Sequence, residues 1–221
     1  STKLDHLALF AAQRGLEGVN FTTGIPGTVG GAVAGNAGAW GKQIGDVLAS
    51  VDLISPAGVK KTASAQDLQF TYRDSILKKT GDIVVSAVLS LQRGDAKALL
   101  EEREKILAER KSKHPDLRYE PCAGSFFRNI EPTSKAGKRQ AAGWFLEEAG
   151  GKKLKVGGAV IFPKHANIIV KSEGCRSQDV YELSLQMTRV VKEKFNLDLV
   201  REVRFVGKFR GMPPDVREII W

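Results

Sequence analysis

The amino-acid sequence predicts an α+β protein in two units, and three features carry that prediction. Short apolar, β-branched runs bounded by turn residues are interspersed with amphipathic stretches of helical period. A charged helical segment, Asp95 to Ser112, runs out at His114-Pro115, where the residue before a proline is pushed out of the α region, so a boundary is expected near residue 113. Between Gly24 and Gly41 lies Gly-Ile-Pro-Gly-Thr-Val-Gly-Gly-Ala followed by Gly-Asn-Ala-Gly-Ala-Trp-Gly. Glycines at this density are expected to form neither a stable helix nor a packed strand, and to leave backbone bare so that another molecule can approach its N–H groups.

The elements follow in order. Leu4, Leu7, Ala8, Ala11 and Ala12 recur at helical spacing, with Gly15 as the terminator. Val47 to Ile54 is β-rich, Ser55-Pro56-Ala57-Gly58 supplies a turn, and Val59 to Thr62 is a hairpin partner. Asp67 to Ser75 reads as a loop with short ordered pieces, and Ile83 to Leu91 as a strand. The Asp95–Ser112 helix is capped by Asp95 and carries a narrow stripe of Leu99, Leu100, Ile106 and Leu107. Beyond it, Gln140 to Ala149 is a helix stopped by Gly150-Gly151, and Val156 to Phe162 and Asn167 to Lys171 are strands. Ser177 is expected to cap a helix through Val180, Leu183, Met187, Val190 and Val191. Leu199 to Val206 alternates as a last strand, and Lys208 to Trp221 is expected to be a surface extension.

Composition narrows the function classes. A chain of 221 residues with 42% hydrophobic residues can bury one substantial core or two modest ones. It has no apolar run long enough to span a membrane and no start resembling a cleavable signal, so the expected compartment is the cytoplasm and no membrane partner is expected. Cys122 and Cys175 lack metal-site spacing and read as packing residues; no metal is expected. The net charge of +9 favours an anionic partner. Without an aromatic-basic motif, a Cys/His finger or a contiguous basic block, that partner is expected to be a small molecule and not nucleic acid.

Several stretches carry residue types suited to chemistry. The glycine run lacks the Gly-Lys-Ser/Thr ending of a P-loop and the Gly-x-Gly-x-x-Gly spacing. In Tyr72-Arg73-Asp74-Ser75 an arginine sits between an aromatic and a carboxylate, where it is either a surface ion pair or a fixed charge for an anionic intermediate. In Cys122-Ala123-Gly124-Ser125-Phe126-Phe127-Arg128-Asn129 the serine lacks a hydrolase elbow. Arg201-Glu202-Val203-Arg204-Phe205-Val206-Gly207 sets a glutamate between arginines, and Lys164-His165-Ala166-Asn167-Ile168-Ile169 holds a histidine read as a structural hydrogen-bonding residue.

In this order, these motifs together resemble the UDP-N-acetylenolpyruvoylglucosamine reductases, and the resemblance covers nearly all of the chain but the tail. It implies residues 1–113 as the later part of a flavin-binding domain of the VAO/PCMH-like kind, and residues 114–221 as a smaller α+β substrate-binding domain. It implies FAD held by Gly24, Ile25, Pro26, Gly27, Thr28, Gly30, Gly31, Asn36, Ala37 and Gly38. Arg73, Ser125 and Glu202 are the implied catalytic residues, with Ser125 as proton donor; Tyr72, Arg128 and Asn129 are implied to contact substrate. Arg128 replaces the family's usual lysine, which keeps a cation but not its geometry, and Ile130 replaces its usual proline, which is expected to loosen the turn. The implied reaction is reduction by NADPH, through FAD, of the enolpyruvyl ether of UDP-N-acetylglucosamine to UDP-N-acetylmuramate, for peptidoglycan, cell shape and division. A bacterial cytoplasmic enzyme of the shorter subtype is implied, monomeric when intact. The chain is expected to lack the first part of the flavin domain, and the alternative is a non-catalytic substrate-binding module that does not retain FAD.

Overall fold

The structure is a computed structural model that describes residues 1–132 and 139–212. It divides into two compact units, residues 1–112 and residues 113 onward.

The first unit holds, in chain order, α1 (Leu4–Gln13), β1 (Leu16–Glu17), α2 (Val29–Ala34), β2 (Gly38–Ala39), β3 (Lys42–Gln43), β4 (Leu48–Ile54), β5 (Lys60–Ser64), α3 (Leu77–Thr80), β6 (Ile83–Leu89), β7 (Gln92–Arg93) and α4 (Ala96–Lys113, which ends at the unit boundary). An antiparallel sheet in the order β5-β4-β6 forms its centre. Its inner face places Val51 and Leu53 against Leu4, Phe21, Ala32, Val33, Ile44 and Leu77, burial that supplies the main stabilisation of the unit. On the outer face Asp52 accepts hydrogen bonds from Thr62 (2.8 Å) and Ser86 (2.6 Å), tying three strands together.

The glycine stretch corrects one expectation, because α2 is a helix inside it. Ala32 and Val33 bury into the core, and the Thr28 hydroxyl accepts from Gly31 N–H at 3.1 Å, so packing and a cap outweigh the weak propensity of two glycines. After α2 the chain forms the β2–β3 hairpin, turned at Trp40-Gly41 with φ of 50° and 78°, the paired positive angles of a two-residue hairpin turn.

The second unit holds β8 (Cys122–Ser125), α5 (Ala142–Glu148), β9 (Lys155–Val156), β10 (Ala159–Ile161), β11 (Ile168–Lys171) and α6 (Ser177–Phe195). Its antiparallel sheet runs β8-β11-β10-β9. The expected strand Val156–Phe162 is two strands folded back at Gly157-Gly158; a Cβ at Gly158 would lie 2.5 Å from the Cys175 backbone, so only glycine fits that bend. Helix α6 buries Tyr181, Leu183, Met187 and Val191 against Phe126, Phe127, Phe145 and Leu146. Its cap is Arg176 and not Ser177, with the Asp179 carboxylate accepting from Arg176 N–H at 3.0 Å.

Two further expectations change here. Residues Leu199–Val206 do not form a regular strand: among the described residues they make one bridge, Phe127 to Arg201, and isolated main-chain bonds. In the expected surface extension, residues 208–212 pack on α6, with Phe209 against Phe205 and Tyr181, and Arg210 bonded to Gln178. The rest of that extension, residues 213–221, lies outside the described residues. Cys122 and Cys175 are free thiols partly buried in apolar clusters.

Candidate functional site

In the first unit the site grows from the loop Asn20–Thr28. The Asp5 carboxylate of α1 accepts from Gly24 N–H (2.7 Å) and takes a bidentate pair from Arg103 of α4 at 2.8 Å, while Asn20 donates to the Leu99 carbonyl (3.0 Å). The loop is thus fixed to two helices. Past it, Gly27 has φ of 134°, and an added Cβ there would meet nothing within 4 Å, so its Cα is open on that side while its carbonyl accepts from Leu4 N–H at 3.0 Å. Ile25 and Thr28 are partly buried and Pro26 is exposed. A Cβ at Gly30 would make an ordinary contact with Val84 at 3.5 Å, where α2 lies on β6.

Asn36 is fully buried, with φ of 43°. Its amide donates to Gln43 Oε1 (2.9 Å) and the Thr71 carbonyl (2.8 Å), and its oxygen accepts from Gly45 N–H (3.1 Å). Its side chain therefore brackets the structure from within. That bracket fixes the Tyr72-Arg73 turn, which is closed by main-chain bonds between Thr71 and Asp74 and by the Ser75 hydroxyl on the Ala34 carbonyl at 2.7 Å. Arg73 sits in the turn with φ of 56°, a conformation usually left to glycine, and its guanidinium stacks over Tyr72 and lies against Gly38, beside Ala37.

Sequence reasoning passed over Arg110 and Trp40 in this unit. The Arg110 stem lies on Gly24, where a Cβ would sit 2.9 Å from its Cδ, and its guanidinium stands 4.9 Å from the Trp40 ring centre. The signal available was spacing: Arg103 and Arg110 stand two turns apart on one face of α4.

In the second unit Ser125 ends β8, opposite Ile168, after Gly124 with φ of 77°. Asn167 grips the next residue but one: Phe127 N–H donates to its Oδ1 (2.9 Å) and its amide donates to the Phe127 carbonyl (2.8 Å). Glu202 N–H donates to the Phe126 carbonyl at 2.9 Å, so Ser125 and Glu202 lie on adjoining extended segments. Arg128 is partly buried, and its Nε is buried without a hydrogen-bond partner among the described residues. Asn129 is exposed and its Oδ1 accepts from Ala142 N–H at 3.2 Å at the start of α5. His165 Nδ1 accepts from Asn167 N–H (3.2 Å), and burial pushes its pKa down, a structural setting for that histidine. Arg73 belongs to the first unit, Ser125 and Glu202 to the second. No group of three or more His, Cys, Asp or Glu side chains able to hold a metal occurs among the described residues.

A bare glycine loop in an α+β unit, followed by a second α+β unit, defines a class: residues 2–64 match the protein-family model described as FAD binding domain. Residues 115–206 match the model described as UDP-N-acetylenolpyruvoylglucosamine reductase, C-terminal domain. The solved structure of that reductase from Thermus caldophilus superposes with a TM-score of 0.76 at 33% identity, covering 92% of this chain and 69% of its own. The reductase of Lactobacillus acidophilus is 39% identical over 201 residues, which is 91% of this chain and 64% of the relative. That of Bacillus subtilis is 35% identical, over 91% of this chain and 64% of its length. The chain belongs to the UDP-N-acetylenolpyruvoylglucosamine reductase family. It spans less than two thirds of the length of these curated relatives.

Proposed function

We propose that the complete protein containing this chain reduces the enolpyruvyl ether of UDP-N-acetylglucosamine to UDP-N-acetylmuramate with NADPH and FAD. The setting is peptidoglycan precursor synthesis in a bacterial cytoplasm, by a monomeric enzyme. The observation that carries this reading is the main-chain bond from Glu202 to Phe126, which sets the glutamate beside the Ser125 segment. FAD fits the residues present: a Cβ at Gly27 would meet nothing within 4 Å, and Arg110 offers a buried Nε beside Gly24 that has no hydrogen-bond partner among the described residues. Gly24, Ile25, Pro26, Gly27, Thr28, Gly30, Gly31, Ala37 and Gly38 would hold it, and Asn36 would contribute through main chain.

FAD held by these residues would supply hydride chemistry, a hydride received from NADPH being added to the terminal carbon of the enolpyruvyl double bond. The adjacent carbon and its carboxylate then hold negative charge. Arg73, fixed by its turn, supplies a preorganised positive charge for it, an effect of about 10²–10³ in rate. Ser125 gives its hydroxyl proton to that carbon and is reprotonated from water, with Glu202 acting beside it. Tyr72, Arg128 and Asn129 contact the substrate, and Arg128 suits a phosphate or carboxylate oxygen.

In the complete protein, Ser125→Ala is expected to leave FAD bound and reducible by NADPH, while turnover of the enolpyruvyl substrate falls about a hundredfold or more. Unchanged turnover removes Ser125 from the mechanism. Because the chain spans 64% of its Lactobacillus relative, a second reading stands beside this one: a substrate-binding module that does not retain cofactor. A flavin absorption band kept by this chain after desalting from FAD excludes that second reading.

A further inference from the structure

Ser125 lies between a distortion of its own strand and a clamp just beyond it. The β8–β11 ladder pairs Cys122 with Val170 and Ser125 with Ile168, so β8 has one residue more than β11 between those pairs and bulges at Ala123-Gly124, where Gly124 has φ of 77°. A bulge bends the strand that carries it and re-aims the side chain that follows. Here that side chain is Ser125, and its final placement depends on what holds the chain on its far side.

One asparagine does most of that holding. Asn167 is 2% exposed, its main-chain carbonyl accepts from Phe126 N–H at 2.7 Å, its Oδ1 accepts from Phe127 N–H at 2.9 Å and its amide donates to the Phe127 carbonyl at 2.8 Å. Strand β11 starts only at Ile168, so the carboxamide pairs with Phe127 as a peptide group would in a ladder, in place of a strand residue. Asn167 is itself seated from behind. Its N–H donates to His165 Nδ1 at 3.2 Å, and a Cβ at Gly143 of α5 would lie 3.7 Å from its Cβ. From the other side, Glu202 N–H donates to the Phe126 carbonyl at 2.9 Å and Arg128 N–H donates to the Val200 carbonyl at 2.8 Å. Ser125, Arg128 and Glu202 therefore all take their places from the two residues that Asn167 grips.

We infer that Asn167 is a positioning residue for proton delivery by Ser125, an assignment that rests on the proposed function: its carboxamide fixes Phe126 and Phe127 so that the Ser125 hydroxyl and Glu202 meet the carbon to be protonated. It acts through those two residues. A misplacement of about 1 Å in such a group costs roughly a hundredfold in rate, so a clamp of two directional hydrogen bonds matters to turnover beyond its share of stability. Reduction of FAD by NADPH takes no proton from Ser125, and only the step that consumes the enolpyruvyl substrate depends on Asn167. A carboxylic acid has nearly the shape of the carboxamide. Protonated, it donates O–H to the Phe127 carbonyl and accepts from Phe127 N–H; ionised, it sets a negative oxygen against that carbonyl.

The test follows flavin absorbance by stopped flow in the complete protein, first during reduction by NADPH and then during reoxidation by saturating enolpyruvyl ether of UDP-N-acetylglucosamine. Wild type is compared with Asn167→Leu, Asn167→Asp and Asp179→Asn. The last is a stability control, because the Asp179 carboxylate accepts from Gly158 N–H (3.3 Å) and Arg176 N–H (3.0 Å) and belongs to α6. Asn167→Leu is expected to reduce its flavin within about twofold of the wild-type rate and to reoxidise it about tenfold or more slowly. Asp179→Asn is expected to lower the urea midpoint and to keep both rates within about twofold of wild type. For Asn167→Asp, the reoxidation rate relative to wild type is expected to rise about tenfold from about pH 8 to about pH 5 as the carboxyl group takes up its proton. His165, with Lys152, Glu147 and Lys113 acting on it, titrates in both proteins and cancels in that ratio. Should Asn167→Leu fold poorly, the ratio decides alone. Reoxidation within about twofold of wild type in both Asn167 variants, a ratio that stays flat with pH, or an equal loss in Asp179→Asn overturns the inference, while wild-type turnover keeps the proposed function. A complete wild-type protein whose reduced flavin is not reoxidised by this substrate removes the proposed function and the inference together.

Discussion

Arg73 occupies a backbone conformation that glycine would adopt more cheaply, and the molecule supports it from three sides. The Thr71–Asp74 bonds close the turn, Asn36 holds the Thr71 carbonyl, and Lys78 donates to the Arg73 carbonyl. A non-glycine residue there costs roughly 1–2 kcal/mol, while glycine costs roughly 0.5–1 kcal/mol of extra chain entropy, so the two nearly offset. Arg73→Gly is therefore expected to leave the urea unfolding free energy within about 1 kcal/mol of wild type, while turnover by the complete protein falls about a hundredfold. A stability loss beyond about 2 kcal/mol would show instead that the guanidinium holds the turn together. Asn36 teaches the opposite lesson at the same scale. A motif position with a polar side chain suits a ligand, yet both amide donors and one acceptor site of Asn36, and its own backbone N–H, are taken up inside the protein.

Helices α1 and α4 meet across the loop that leads into the glycine stretch, and one carboxylate joins all three. Asp5 pairs with Arg103 and accepts from Gly24 N–H, and its pKa is lowered, first by the Arg103 hydrogen bond. Asp5→Asn leaves Arg103 without its countercharge. Breaking a fully buried pair costs about 3–5 kcal/mol; with Asp5 36% exposed, solvent screening reduces the expected loss to about 2 kcal/mol by urea unfolding. A loss under about 0.5 kcal/mol would mean that water replaces the carboxylate. The α2 helix shows the same dependence on neighbours: Thr28 caps it and Val84 receives Gly30, so its stability lies in contacts from outside its own six residues.

Across the whole molecule, acid is expected to act in two stages. His165 has its folded pKa pushed below the ordinary value by burial, so its contribution is fully present above about pH 6.5 and is lost as pH falls through the folded value. Asp5 and Asp82 also have lowered values, through Arg103 and Lys61 respectively, and their contributions disappear only below about pH 4. Urea midpoints measured from pH 8 to pH 4 should decline from about pH 6.5 in wild type, and His165→Asn should flatten that first decline. An identical decline in the variant would assign it to another group. Local pattern made much of this legible in advance. The period of α4 and α6, the ends of α4, the β4–β5 hairpin and most of the strand expected over Ile83–Leu91 follow from apolar spacing, Asp95, Pro115 and the Pro56-Gly58 turn, all of which act within a few residues. The order of the Arg73, Ser125 and Glu202 motifs was equally readable. What sequence alone could not decide depended on partners far along the chain: that α2 forms, because the core receives it; that Leu199–Val206 meets Phe126, Phe127 and Arg128 through one bridge and isolated main-chain bonds among the described residues; and that Arg103 takes a bidentate carboxylate while the Arg110 Nε has no hydrogen-bond partner among the described residues, because tertiary packing brings Asp5 to the first arginine and Gly24 and the Trp40 ring to the second.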